Sequence, residues 1–545
     1  MLRIIYHPSQ KLKNKYINNM KSLFVFFISC FTGLAHTNPV FCQSASERPN
    51  ILIILADDMG YSDIGCYGGE ANTPNLDQLA TEGLRFRSFY NAARCCPTRA
   101  SLLTGVYPHE AGMGGMVSSI ESEPTPGPYQ GYLNQQTVTL AEALKQGGYR
   151  TYMSGKWHVG ERAEHWPRQR GFDRYFGLIS GASSYFELVE EAIVRQMVHD
   201  DDRWVPPAEG FYMTDAFTDT AVTFLENHQQ EHPDDPFFLY VAYTAPHWPL
   251  HALEEDRARY EGRYDDGWDV VRRQRYERMK QLGIVDERHV LSSRTPGIPA
   301  WDSLTDQGDW ADRMEVYTAM IDRMDQGIGK MVETLRQQGK LENTLILFLS
   351  DNGGCAENVD GRRLNQPGTK VGQRGSYLAY GEPWANVSNT PYRKYKAWTN
   401  EGGIITPLIA HWPGHIQNPG TLTDADGHIV DIMATCMAVS GVEYPSSYKG
   451  VAIKPMRGRS LLPAFSQLEM DDRTLCWEHF GRWAIKEGNW KLVGGGSRHG
   501  GQGSLYHLED DPTEVNDLSE QYPERVKEMK RRYTIWAYEV GVRVR

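Results

Sequence analysis

The chain has 545 residues, with 57 Lys and Arg against 69 Asp and Glu, a formal charge of −12, and 40% hydrophobic and 11% aromatic residues. These are globular values, which exclude disorder, collagen and coiled coil. The acidic balance argues against a nucleic-acid or anionic-membrane partner, so an anionic substrate would need a local cationic pocket. Eight cysteines are too few for a disulfide scaffold.

At the N-terminus, Lys21 precedes a short apolar run from Leu23 to Phe31, followed by small and polar residues. This predicts a secretory signal peptide over 1–45, cleaved between Ala35 and Ala45, with Met20 as a second candidate start. The alternatives are a membrane anchor, for which the run falls short of ~20 residues, and a lipoprotein, for which Phe27 sits poorly before Cys30. The expected location is secreted or periplasmic, without stable membrane insertion.

From Pro49 the pattern becomes α/β. Asn50 to Ala56, Phe237 to Thr244, Thr344 to Ser350 and Pro407 to Ala410 are continuous apolar runs, the mark of strands buried on both faces. Helical patterns alternate with them over Val138 to Gln146 and Arg313 to Arg336. The second carries Met314, Tyr317, Ile321, Met324, Ile328, Met331 and Leu335 on one stripe. His251 to Gln307 reads as a polar insertion. Thr474 to Phe480, Trp483 to Lys486 and Trp490 to Val493 read as short strands, with a turn at Gly488-Asn489 and a helix from Pro523. The predicted fold class is α/β. A large, mostly parallel sheet flanked by helices spans 46–464, and a small α+β domain with an antiparallel sheet spans 465–545.

In open α/β sheets, chemistry gathers beyond the carboxyl ends of the strands. Three runs end in Asp57-Asp58-Met59-Gly60, Ala245-Pro246-His247 and Asp351-Asn352-Gly353-Gly354. Asp57, Asp58, Asp351 and Asn352 offer hard oxygen ligands, which suit Ca²⁺ or Mg²⁺; helix caps and turns use the same residues. Pro97 and Gly105 bracket a short helix with Cys95 at its N-terminus, a place that favours anions and activates nucleophiles. A structural cysteine or a Cys95–Cys96 pair is the alternative. In Gly155-Lys156-Trp157-His158, an extended backbone would turn Lys156 and His158 to one side, where they suit an anionic reacting group. Lys396, taken alone, belongs to a charge run with Arg393 and Lys394.

Taken together these elements resemble the formylglycine-dependent sulfatases, of the arylsulfatase type within the alkaline-phosphatase-like superfamily. Cys95-Cys96-Pro97-Thr98-Arg99, with Leu103-Thr104-Gly105 behind it, is similar to the family's C-x-P-S/T-R signature. The other elements follow in the family's order, and the likeness extends to Trp490-Lys491-Leu492-Val493 and Leu505-Tyr506-His507-Leu508 in the tail. Thr98 stands where serine is commoner, and Cys96 fills the variable position.

The resemblance implies a sulfuric ester hydrolase that releases inorganic sulfate from an aryl sulfate or a sulfated carbohydrate. It implies oxidation of Cys95 to formylglycine (3-oxoalanine) by a formylglycine-generating maturation enzyme. It also implies one Ca²⁺ held by Asp57, Asp58, Asp351, Asn352 and the modified Cys95. Asp351 would take the proton of the attacking hydroxyl and His158 the second proton. Arg99 and Lys156 would orient the hydrate, while His247 and Lys396 would clamp the sulfate. The competing readings are a phosphate or phosphonate monoester hydrolase of the same superfamily and a non-catalytic binder of sulfated glycan.

Overall fold

A strand without polar alternation has to be covered on both faces. In the computed structural model, which describes residues 48–123, 125–189, 195–495 and 503–543, Asn50–Ala56 forms β1, deep inside a ten-stranded sheet. The other strands, in chain order, are β2 (Leu84–Phe86), β3 (Arg150–Gly155), β4 (Arg174–Leu178), β5 (Met197–His199), β6 (Asp202–Trp204), β7 (Phe237–Ala242), β8 (Thr344–Ser350), β9 (Leu408–His411) and β10 (Thr421–Thr423). Across the sheet they run β10-β2-β9-β8-β1-β7-β3-β4-β5-β6. Ile51, Ile53 and Leu55 enter one core, and Leu52, Ile54 and Ala56 enter the other. The helix Gln307–Gln337 lays its stripe from Met314 to Leu335 into the second core.

The sheet is parallel at its centre, where β8, β1, β7, β3 and β4 pair. Toward the edges it is mixed, with β9 antiparallel to β8 and β2, and β5 and β6 antiparallel. This reversal matters for the site. The start of β9 lies beside the end of β8, with Leu408 opposite Leu349. The segment leading into β9, which includes Lys396, therefore reaches the same sheet edge as the carboxyl ends of β1, β3, β7 and β8.

A second sheet is an antiparallel meander of β11 (Thr474–His479), β12 (Arg482–Glu487), β13 (Trp490–Gly494) and β14 (Ser504–His507). Val526, Met529 and Tyr533 of the helix Pro523–Val540 close its core against Ile485, Leu492 and Leu505. Lys491 on β13 is fully buried and pairs with Glu514 at 2.8 Å and with Glu401.

The segment 251–307 is built into the core. Its helix Gly267–Gln281 buries Arg272 and Arg275, and Arg275 donates to Glu70 Oε1 at 2.7 Å. Paired arginines do here what apolar residues do elsewhere, so the sequence reads as polar. The expected signal segment 1–45 lies outside the described residues. Among the described residues, no helix is long and apolar enough to cross a membrane.

Candidate active site

Four strand ends and one helix N-terminus converge. Asp57 and Asp58 follow β1, and Asp58 adopts a left-handed φ of 66°. Asp351 and Asn352 follow β8. The Asp58 backbone N–H donates to Asp351 Oδ1 at 3.1 Å, and Asn352 Nδ2 donates to Asp58 Oδ1 at 2.7 Å. Lys156, just past β3, donates to Asp57 Oδ2 at 2.6 Å. Arg99, one turn into the helix Cys95–Thr104, donates to Asp351 Oδ2 at 3.0 Å and to the Lys156 carbonyl at 2.9 Å. Lys396 donates to Asp58 Oδ2 at 2.7 Å, and His247 Nε2 lies 3.3 Å from the same oxygen. Three carboxylates thus face three cations, all buried.

Burial makes each charge expensive unless it is paired. It pushes the Asp57 carboxyl up to about 7, with Lys156 acting against it. Asp58 is driven the other way, because Lys396 and His247 outweigh its burial. Burial raises Asp351, partly offset by Arg99. The Cys95 thiol lies well below its ordinary range, first because Cys96 hydrogen-bonds to it and then because Lys156, His158 and Lys396 are near. Burial takes His158 down to about 3, so its imidazole is neutral at ordinary pH.

Buried atoms without partners show where a further group fits. Asp57 Oδ1 lies 3.5 Å from Arg99 Nη2 without a hydrogen bond, and Asn352 Oδ1 also has no hydrogen-bond partner. Unpaired buried oxygens beside two more carboxylates form a hard-donor set that fits a Ca²⁺-like ion.

Cys95 opens onto a cavity of about 1140 Å³ that it shares with His158, His247, Trp248 and Lys396. The backbone does not stay extended through His158, which takes a left-handed φ of 56°. Lys156 and His158 nevertheless reach the site, and Trp157 turns away to donate to the His165 carbonyl at 3.0 Å. Gly181 packs on the His158 ring, where a Cβ would meet Nε2 at 2.4 Å. Cys95 and Cys96 are both free thiols, so the vicinal pair is not formed.

Two residues of the cavity escaped the sequence reading. Glu357 pairs with Arg94 at 2.7 Å, accepts from Trp248 Nε1 at 3.1 Å and lies 3.8 Å from Lys396 Nζ. Arg94 directly precedes Cys95, and Glu357 follows the Asp351 motif; that proximity was the only signal. The loop 357–364 lines the cavity, whereas no residue of 251–307 does among the described residues. Trp248 lines the cavity beneath Arg362, whose guanidinium lies 4.6 Å from the centre of its ring. Tyr185 and Trp301 are buried in the core, and Trp204 packs on Phe176.

A mixed α/β sheet with paired acidic strand ends facing a helix-borne cysteine and three cations defines a hydrolase for anionic esters. The sulfatase family model matches residues 49–442, and the chain belongs to that family. It is a sulfuric ester hydrolase. An arylsulfatase of Klebsiella aerogenes is 36% identical over 464 residues, covering 81% of this chain and 96% of the relative. An uncharacterized sulfatase of Schizosaccharomyces pombe is 32% identical over 539 residues, covering 92% of this chain and 95% of the relative. The crystal structure of Ps i-CgsB superposes with a TM-score of 0.66 at 26% identity, covering 90% of this chain and 93% of the other. The human N-acetylgalactosamine-6-sulfatase is 28% identical, covering 80% of this chain and 69% of the relative.

Proposed function

We propose that this chain is a calcium- and formylglycine-dependent sulfatase acting on sulfated carbohydrate. The observation that carries the reading is Cys95 at a helix N-terminus, opening on the cavity beside three buried carboxylate–cation pairs. Asp57, Asp58, Asp351 and Asn352 would hold the calcium together with the modified Cys95. The calcium would supply charge neutralisation to the sulfate, and the hydrated aldehyde would supply two hydroxyls on one carbon, one of them the nucleophile. Arg99 and Lys156, which approach Asp57 at Oδ1 and Oδ2, would orient that group. Asp351 accepts the proton of the attacking hydroxyl. His158, neutral and with an unpartnered Nδ1, is in the right state to accept the second proton. Lys396 and His247, 3.3 Å apart, bind the sulfate oxygens and favour departure of the alcohol.

A sugar substrate is supported by size, since the cavity far exceeds what a sulfate group fills. Ps i-CgsB has been solved with k-i-k-neocarrahexaose, and the human relative is named for a sulfated amino sugar. We also propose 46–464 as the catalytic domain, 465–545 as a small C-terminal domain, and residues 1–45 as a signal peptide of a secreted or periplasmic protein. The test is turnover of an aryl sulfate beside an aryl phosphate, after co-expression with a formylglycine-generating enzyme and with calcium supplied. Sulfate turnover that a Cys95→Ala control lacks supports the reading. Faster phosphate turnover overturns it, as does an unmodified Cys95 peptide in an active enzyme.

A further inference from the structure

Cys96 has no part in the hydrolysis proposed above, yet it stands beside the reacting residue. Cys95 Sγ, Cys96 Sγ and a ring nitrogen of His158 lie within 4.8 Å of one another, all three residues buried. His158 Nδ1 is buried without a hydrogen-bond partner. Gly181 packs against the His158 ring and fixes its position. Two thiols and a neutral imidazole form a soft donor set, unlike the all-oxygen set next to it. Arg99, Lys156 and Lys396 are each engaged by Asp351, Asp57 and Asp58, which leaves the two sulfurs and the imidazole free of those ion pairs. The cavity reaches Cys95 and His158 and supplies an entry path and an open coordination position.

We infer that the folded chain, before Cys95 is oxidised, binds one thiophilic metal ion such as Zn²⁺ or Cd²⁺ through Cys95, Cys96 and His158. Each thiol that ligates releases its proton to solvent. Conversion of Cys95 replaces its sulfur with an aldehyde carbon and abolishes the site. The inference rests on the proposed function only for that last statement. A bound ion in turn masks the Cys95 sulfur from any reagent that attacks it. The site therefore belongs to the immature chain and vanishes from the mature one.

The test uses full-length chain expressed without the maturation enzyme, with peptide mass confirming an intact Cys95. Titration with Cd²⁺ in excess calcium should give thiolate-to-cadmium charge-transfer absorbance that saturates at one equivalent. Zn²⁺ should displace it and protect Cys95 from iodoacetamide, read by the mass of the Cys95 peptide. Cys96→Ala and His158→Gln should each weaken Cd²⁺ binding by more than about tenfold. Wild-type chain carrying the aldehyde should show no saturable band, a comparison that needs no variant to fold. The inference is overturned if the unconverted chain gives no saturable band, if Cys96→Ala binds as tightly as wild type, or if Zn²⁺ leaves alkylation of Cys95 unchanged. Aryl sulfate turnover, measured separately, reports on the proposed function and does not bear on these outcomes.

Discussion

Lys396 Nζ reaches Asp58 Oδ2 at 2.7 Å although 338 residues separate them in sequence. The contact exists because β9 runs against β8 and so delivers the preceding segment to the carboxyl edge of the sheet. It also leaves Lys396 facing the cavity beside His247. Lys396→Gln removes the cation expected to hold the sulfate and unpairs Asp58. Turnover of an aryl sulfate should fall at least about a hundredfold. A variant that keeps near wild-type kcat/KM would remove Lys396 from the reaction.

The two adjacent cysteines should behave in opposite ways. Cys95→Ala should abolish sulfate ester hydrolysis while the melting temperature stays near wild type. Cys96→Ala should remain active, because Cys96 only fills the variable position of the motif. Turnover assays of the two variants, with peptide masses across residue 95, decide this. Loss of both modification and activity in Cys96→Ala would mean that the wrong cysteine has been assigned.

Asp57 Oδ1 and Asn352 Oδ1 are buried without hydrogen-bond partners, and a bound cation would satisfy both. Chelation should therefore remove activity and lower thermal stability together. Calcium at a hundred times its dissociation constant would restore about 2.7 kcal/mol. Asp351→Ala should show the same loss of activity without responding to added calcium. A fully active metal-free protein would contradict the assignment.

Burial pushes both His228 and His251 down to about 4. Each ring is satisfied as a neutral imidazole: His228 between the Tyr152 hydroxyl and the Asp235 carbonyl, His251 between the Tyr185 backbone N–H and the Ser376 carbonyl. The unfolded chain takes up protons as pH falls through ~6.5, whereas the folded one does so only near 4. Stability is then fully present above ~6.5 and is lost as pH drops toward 4, by up to ~1.4 kcal/mol per pH unit for each group. The urea-midpoint difference between wild type and His251→Gln should shrink as pH falls from 7 to 5; a constant or growing difference would contradict the account.

Lys491 pairs with both the Glu401 and the Glu514 carboxylates, and all three side chains are buried. Lys491→Met keeps the bulk and deletes the charge, which leaves two acids facing each other. The expected loss is about 3 kcal/mol, larger than that of any surface pair. Denaturant unfolding would measure it, and a change below about 1 kcal/mol would show that water reaches the pair.

Much of the site was legible because its chemistry sits where local rules act. Asp57, Asp351 and His247 follow apolar runs, and Cys95 opens a short helix marked by Pro97 in its first turn and Gly105 at its end. Glu357, Arg94 and the role of the 357–364 loop were not legible, since their placement comes from packing between distant segments. The helix Gly267–Gln281 was hidden for a related reason: Arg272 and Arg275, buried by ion pairs and carbonyl contacts, interrupt the buried stripe of Trp268, Val271, Tyr276 and Met279.

The linear sequence by itself determined the central strands, the motif order and the donor types, because hydrophobic period and side-chain chemistry are properties of neighbours in the chain. Only the tertiary structure decided which cation meets which carboxylate. Arg99 goes to Asp351, Lys156 to Asp57 and Lys396 to Asp58. That pairing depends on strand order and on the direction of β9. In a buried site the lowest-energy arrangement is one in which every charge finds an opposite within hydrogen-bond reach. It also decided that donor atoms of Cys95, Cys96 and His158 lie within 4.8 Å of one another, a juxtaposition that spacing along the chain does not contain.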